Sequence, residues 1–367
     1  MNDVLVEPEQ LLPAAPGELG FDADKLARAV SLAESGETPW PRDLALALRQ
    51  GHLDETDPEP LGPVAPRGGP NGLILRHGRI AATWGDVGRA DFTFSIAKSY
   101  LAILAGLAVD DGLIRDVHDP VREYALDDGF EAPQNRGITW HHLLQQTSEW
   151  EGTLFDRADL VDRNRQIGLG ADNSRKGRHR DLQPPGGYWE YNDVRVNRLS
   201  LSLLQVFKRP LPEVLRERIM DPIGASQDWQ WHGYYNAEVE IEGRRMISVP
   251  GGTHWGGGIC ISSADHARLG QLVLRRGRWR GRQLISEDWL RQLLTPCAVY
   301  PVYGYLWWLN TDRAYWPAAP ATSVFAIGAG GNSIWVEPEH DMIVVSRWLD
   351  PAKADQVAAR VMASLGE

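Results

Sequence analysis

Hydrophobic residues crowd together once along this chain, in Leu101-Ala102-Ile103-Leu104-Ala105-Gly106-Leu107-Ala108, rich in Ala and Leu and free of Pro. That density predicts a buried helix, entered from the turn-rich segment Gly85-Asp86-Val87-Gly88-Arg89. Elsewhere the pattern is periodic. Alternation over 73–84 with His77-Gly78 at its centre predicts a hairpin, and 333–336 with 342–345 predicts a second around Pro338-Glu339-His340-Asp341. Helical spacing or capping residues predict helices over 21–34, 44–49, 138–146 (N-cap Thr139), 194–207, 211–220, 263–276, 289–294 (cap at Ser286) and 351–365. A strand is expected at 303–309 and a glycine-rich strand entry at 254–262. Residues up to Gly17 read as an irregular arm, and 36–70 as a Pro-, Gly- and acid-rich insertion.

Strands at both ends and helices between them give an α+β architecture: an antiparallel sheet flanked by helices, with a helical middle subdomain. The expected layout is a single domain over 1–367, with a sheet part at about 17–92 plus 255–367, a helical part at about 93–254, and a cleft between them.

Composition narrows the function. The net charge of −11 argues against nucleic acid or an anionic membrane as partner, and no stretch is long enough to span a bilayer. Cys260 and Cys297 make no disulfide framework, and the N-terminal residues carry neither a basic nor an apolar leader region. A cytoplasmic location with reduced cysteines is therefore expected. His141 and His142 have no Cys or carboxylate at ligand spacing, so neither a metal nor a cofactor is expected.

Chemistry enters at the start of the buried helix. Ser95 and Lys98 stand three residues apart in Ser95-Ile96-Ala97-Lys98, on one face of its first turn. A serine hydroxyl needs a base in hydrogen-bond reach, and a lysine serves if burial holds it neutral. The bland reading makes Ser95 a helix-terminal residue and Lys98 a surface charge, and Ser-x-x-Lys alone does not exclude it. Context favours the active reading. The run Arg175-Lys176-Gly177-Arg178-His179-Arg180 is read as a solvated loop, with an anion-attracting cap over the cleft as its functional alternative.

After Ser95-Ile96-Ala97-Lys98 come, in order, His142-Leu143-Leu144-Gln145-Gln146-Thr147-Ser148, Tyr191-Asn192-Asp193, Trp255-Gly256-Gly257-Gly258, Gly328-Ala329-Gly330 and the final hairpin. This order resembles the serine hydrolases of the class C β-lactamase superfamily, with its esterases, D-amino-acid peptidases and 6-aminohexanoate-dimer hydrolase. The resemblance implies the β-lactamase/transpeptidase-like fold and an acyl-enzyme on Ser95. Lys98 would be its base and Tyr191 a proton relay. Backbone N–H groups of Ser95 and Gly331 would form the oxyanion hole, and Asp193, His254, Trp255, Gly328, Ala329 and Gly330 would meet the substrate. Two positions depart from the family pattern. Asp193 stands where Tyr-x-Asn has its amide, and Gly328-Ala329-Gly330 replaces Lys-Thr-Gly, removing the cation that β-lactams use. A small ester or amide is the expected substrate, with a D-specific peptidase or penicillin-binding-type protein as the enzymatic alternative. A non-catalytic ligand sensor on the same fold is the alternative outside enzymes.

Overall fold

A computed structural model describes residues 11–53 and 58–366. Most of the proline-containing arm, including the N-terminal residues read for a leader region, and part of the 36–70 insertion lie outside this range. Helix α1 (Ala23–Ser35) starts where Asp22 accepts from Lys25 N–H. Strands β1 (Asn71–Arg76) and β2 (Arg79–Trp84) form the first expected hairpin. Its turn works because His77 and Gly78 both adopt positive φ, 52° and 74°, matching the twist of the paired strands. Next come α2 (Ile96–Asp110), α3 (Asp193–Phe207), β3 (Gly258–Ile261), α4 (Ser263–Leu274), β4 (Trp308–Leu309), β5 (Val324–Gly328), β6 (Asn332–Glu337), β7 (Met342–Arg347) and α5 (Ala354–Ala363).

The main sheet has six antiparallel strands in the order β4-β5-β6-β7-β1-β2. The two terminal regions meet where β1 pairs with β7, from Asn71↔Arg347 to Arg76↔Met342. Every residue of β6 and β7 is buried, so helices cover both faces of the sheet. Helix α4 packs on β1, β6 and β7, with Gly270 against Ile334 and Ile343; α1 packs on β2 and α5. The fold is α+β, as the pattern predicts.

The middle is less purely helical than expected. It holds the hairpin Glu238–Ile241/Arg244–Ile247 and the strand Gln230–His232. That last strand joins β3 and Asp91–Phe92 in a separate three-stranded sheet. The strand expected over 303–309 shrinks to Trp308–Leu309 because the chain turns at Leu306, where φ is 57°. Helix 211–220 is α only over Leu211–Leu215 and widens to a π turn over Arg216–Met220. Both cysteines are free.

Candidate active site

From Asp91 to Ala108, Ser95 is the one residue that is not buried. Its exposure follows from the turn before it. Asp91–Phe92 is pinned to β3, and Phe94 then takes φ 49°, a conformation rare outside glycine. The Phe94 ring is clamped edge-on against Trp40 and Trp348. Ser95 stands at the N-cap of α2 but makes no cap hydrogen bond, so its hydroxyl is available. Lys98 Nζ donates to Ser95 Oγ at 2.8 Å, whereas the neighbouring Ser99 Oγ is spent on Leu306 O at 2.9 Å.

Lys98 is buried, and its surroundings come from two distant segments, around 191–193 and at Gly251. Asp193 Oδ1, at the first turn of α3, lies 2.6 Å from Nζ; Gly251 O accepts from Nζ at 3.3 Å. The Tyr191 ring lies 4.6 Å from Nζ and stacks on Trp308. Arg165 covers Tyr191 with its guanidinium carbon 5.1 Å from the ring centre. Tyr191 is thus held between two cations and an indole.

Below this layer is a second set of charges. Asp162 Oδ2 accepts from Asp193 N–H at 2.9 Å, and Arg165 Nη1 lies 3.5 Å from Asp193 and 3.6 Å from Asp162. Lys176 Nζ lies 3.6 Å from Asp162, and His254 Nε2 lies 3.1 Å from Asp193 without hydrogen-bond alignment. Burial, reinforced by Arg165, pushes the His254 imidazole down to about 4, so it is neutral near pH 7. Burial alone would push the Asp193 carboxyl up, but Lys98, His254 and Arg165 hold it far below the usual carboxylate range. Donor atoms of Asp162, Asp193 and His254 lie close enough together to suit a metal ion. Lys98, Arg165 and Lys176 already compensate those carboxylates, so the donor set does not fit a further cation.

The residues expected to meet the substrate fall in two groups. Asp193, His254 and Trp255 are buried; Trp255 lies under Arg157 and is bonded through its carbonyl to the N–H groups of Leu61 and Gly62. The glycine segment divides. Gly328 abuts the nucleophile turn so closely that a Cβ would stand 2.1 Å from Thr93 O. Gly330 faces Trp40 and Trp348, the Ala329 carbonyl takes the Asn332 amide, and Gly331 is tied to Leu349, whose N–H donates to its carbonyl at 3.1 Å.

The sheet register decides which backbone groups of β5 point away from β6, to its β4 edge. Asn310 N–H donates to Ser323 O at 3.0 Å. Backbone groups of Ser323, Phe325 and Ile327 therefore point to the β4 edge of β5, and the alternate residues point to β6. Strand β4 ends at Trp308, opposite Phe325. The residue that would face Ile327 is Leu306, which has turned away to Leu144 and Ser99. Ile327 N–H thus points into the gap beside the nucleophile turn.

Three residues that carry this geometry belong to no motif legible in the sequence: Asp162, Arg165 and Arg347. The first two lie in the 156–180 loop, which is anchored by Arg163, Arg180 and Arg195 against Glu149, Asp159 and Glu190. The basic run is accordingly mixed: Lys176 and Arg180 turn inward, and Arg175 and Arg178 are exposed. Arg347, buried in β7, donates to the carbonyls of Asp91, Phe92 and Ile261 and to Asn332, joining the main sheet to the nucleophile strand.

The family model described as Beta-lactamase matches residues 92–367. The chain belongs to the beta-lactamase family. A beta-lactamase-family chain with this serine and lysine is a serine hydrolase in the broad sense. Similar proteins spread across the family's activities. The 6-aminohexanoate-dimer hydrolase of Paenarthrobacter ureafaciens is 22% identical over 307 residues, 76% of this chain and 72% of that protein. The penicillin-binding protein homologue from Caulobacter crescentus has a TM-score of 0.58 at 16% identity, covering 89% of this chain and 99% of that one. EstCE1, described as a hydrolase with promiscuous acyltransferase activity, also has a TM-score of 0.58 at 16% identity, covering 94% and 99%. These likenesses support the β-lactamase/penicillin-binding-protein fold of this beta-lactamase-family chain. None of its described helices is long and apolar enough to cross a membrane.

Proposed function

We propose that this protein hydrolyses small esters or amides through an acyl-enzyme on Ser95. The observation that carries the reading is the 2.8 Å bond from Lys98 Nζ to the only non-buried side chain of the nucleophile turn. Ser95 Oγ attacks the substrate carbonyl carbon as its proton passes to Lys98 or, through it, to Tyr191. The tetrahedral oxyanion is met by the N–H groups of Ser95 and Ile327, the latter in place of Gly331. Preorganised donors of this kind typically supply a large share of the rate enhancement in acyl transfer. Collapse expels the leaving group, which takes a proton from the same relay, and water then attacks the acyl-enzyme.

Substrate class follows from charge. Gly328 offers no cation opposite a substrate carboxylate, and a charge-assisted contact contributes about 1.5–3 kcal/mol. The inward-facing loop cations do not replace it: Arg180 is engaged by Glu149 and Glu190, and Arg165 and Lys176 by Asp162 and Asp193. Carboxylate-bearing β-lactams should therefore lose roughly ten- to a hundredfold in kcat/KM relative to short neutral esters. The test compares p-nitrophenyl butyrate, a linear amide and nitrocefin on one preparation. Intact-mass detection of fluorophosphonate labelling serves beside it, with Ser95→Ala as control. Nitrocefin turned over faster than the ester would refute the esterase/amidase reading. A label on Ser99 or Ser148 would refute the nucleophile.

A further inference from the structure

The position where the family pattern has an amide holds a carboxylate, and that carboxylate reaches Lys98 from beneath. Lys98 and Asp193 are 1% and 0% exposed, and the 2.6 Å separation of Nζ and Oδ1 is an ion pair. Nζ also donates to Ser95 Oγ and Gly251 O. Two hydrogen-bond acceptors and one buried carboxylate therefore surround the nitrogen, and an opposite charge at this distance favours the charged form of the amine. Asp193 is itself fixed by its place at the start of α3, by its N–H to Asp162, and by His254 at 3.1 Å.

We propose that Asp193 is a positioning residue that holds Lys98 as an ammonium against Ser95 and thereby sets the pH at which Ser95 can be acylated. The proposal rests on Ser95 as nucleophile and Lys98 as its proton acceptor. With Lys98 protonated, Ser95 Oγ receives a hydrogen bond and cannot hand over its proton. When the ammonium releases a proton to solvent, the free amine takes the hydroxyl proton as Oγ bonds to the electrophile. The groups facing the pair are Arg165, Lys176 and Asp162 from the 156–180 loop, His254 from the segment before β3, and Tyr191, Tyr234 and Tyr303. Arg165 shares Asp193 with Lys98 and adds a like charge, so it opposes the effect of Asp193.

The experiment measures the second-order rate of Ser95 labelling by a fluorophosphonate against pH, followed by intact mass. In this reaction Oγ bonds to phosphorus, fluoride leaves, and the hydroxyl proton goes to Lys98. Wild type should show a rate rising on an alkaline limb. Asp193→Asn should move that limb down by about one to three pH units, the usual effect of an adjacent opposite charge. Arg165→Gln should move it up by a smaller step, because a like charge is lost and Asp193 is freed for Lys98. A limb unmoved or raised in Asp193→Asn overturns the proposal, as does a folded Asp193→Asn that is unlabelled at every pH. Should that variant fail to fold, Arg165→Gln carries the test, and an unmoved or lowered limb overturns the proposal. Wild type unlabelled at every pH would refute the nucleophile itself, and this proposal with it.

Discussion

Two buried charge clusters lie side by side in this protein, and they differ in how well they are paired. Beneath the 156–180 loop, Arg163, Arg180 and Arg195 face Glu149, Asp159 and Glu190, and each guanidinium directs its N–H groups at carboxylates or carbonyls. Beside it, Lys98, Arg165 and Lys176 face Asp162 and Asp193, and Asp162, Asp193, His254 and Arg165 retain buried polar atoms without hydrogen bonds, against the single Glu190 Oε2 of the first cluster. Fully satisfied networks rigidify, whereas unsatisfied buried groups are expensive and persist mainly where chemistry uses them. The first cluster therefore anchors the loop. The second, less completely paired, lies against Lys98 and through it Ser95, the residues of the proposed chemistry.

Removing one member of each cluster should separate their roles. The largest effect belongs to the reacting groups. Ser95→Ala should cut p-nitrophenyl butyrate turnover by at least about a thousandfold, and Lys98→Ala by about 10²–10⁴-fold, the serine variant with its melting temperature little changed. Wild-type turnover in Ser95→Ala would dissolve the distinction between the clusters. Arg195→Ala should do the reverse: it removes one of the two buried cations on each of Glu149 and Asp159, leaving Arg180 and Arg163 alone with them, at a cost of up to about 3–5 kcal/mol in urea unfolding. Turnover per folded molecule should fall much less. An Arg195 variant as stable as wild type would show that this network does not hold the loop.

Acid pH should widen the contrast. His254 is depressed to about 4 by burial and Arg165, against about 6.5 unfolded. A depressed imidazole contributes stability above its unfolded value, and that contribution is lost as pH falls from about 6.5 to 4. The span corresponds to up to about 3 kcal/mol. Urea midpoints between pH 7 and 4 should show this slope, and His254→Gln should flatten it; an equal slope in the variant would remove His254 as its source. The smallest step is Gly328→Ala. Its new Cβ would collide with Thr93 O and shift the nucleophile turn, and misplacement of about an ångström costs on the order of a hundredfold in rate. Unaltered kcat/KM would mean that β5 does not position Ser95.

Local features were legible in the sequence alone. Turn chemistry fixed the hairpin at His77-Gly78, side-chain caps fixed the starts of helices at Thr139 and Ser286, and a three-residue spacing in one helical turn brought Lys98 to Ser95. The ordered motifs added the α+β fold and the family. Features that needed the tertiary structure involve partners far apart in the chain or the phase of a strand. Asp193 reads as a substrate contact until α3 docks behind Lys98, and Arg165 is one charge in an irregular loop until Glu149, Asp159 and Glu190 anchor it. The proposed oxyanion donor turns on sheet register: backbone groups alternate direction at every residue, and the pairing of Ser323 with Asn310 puts the Ile327 N–H on the β4 edge of β5. Spacing along a helix is set by local hydrogen bonds, but which edge of a strand faces a serine is set by whatever pairs with the other edge.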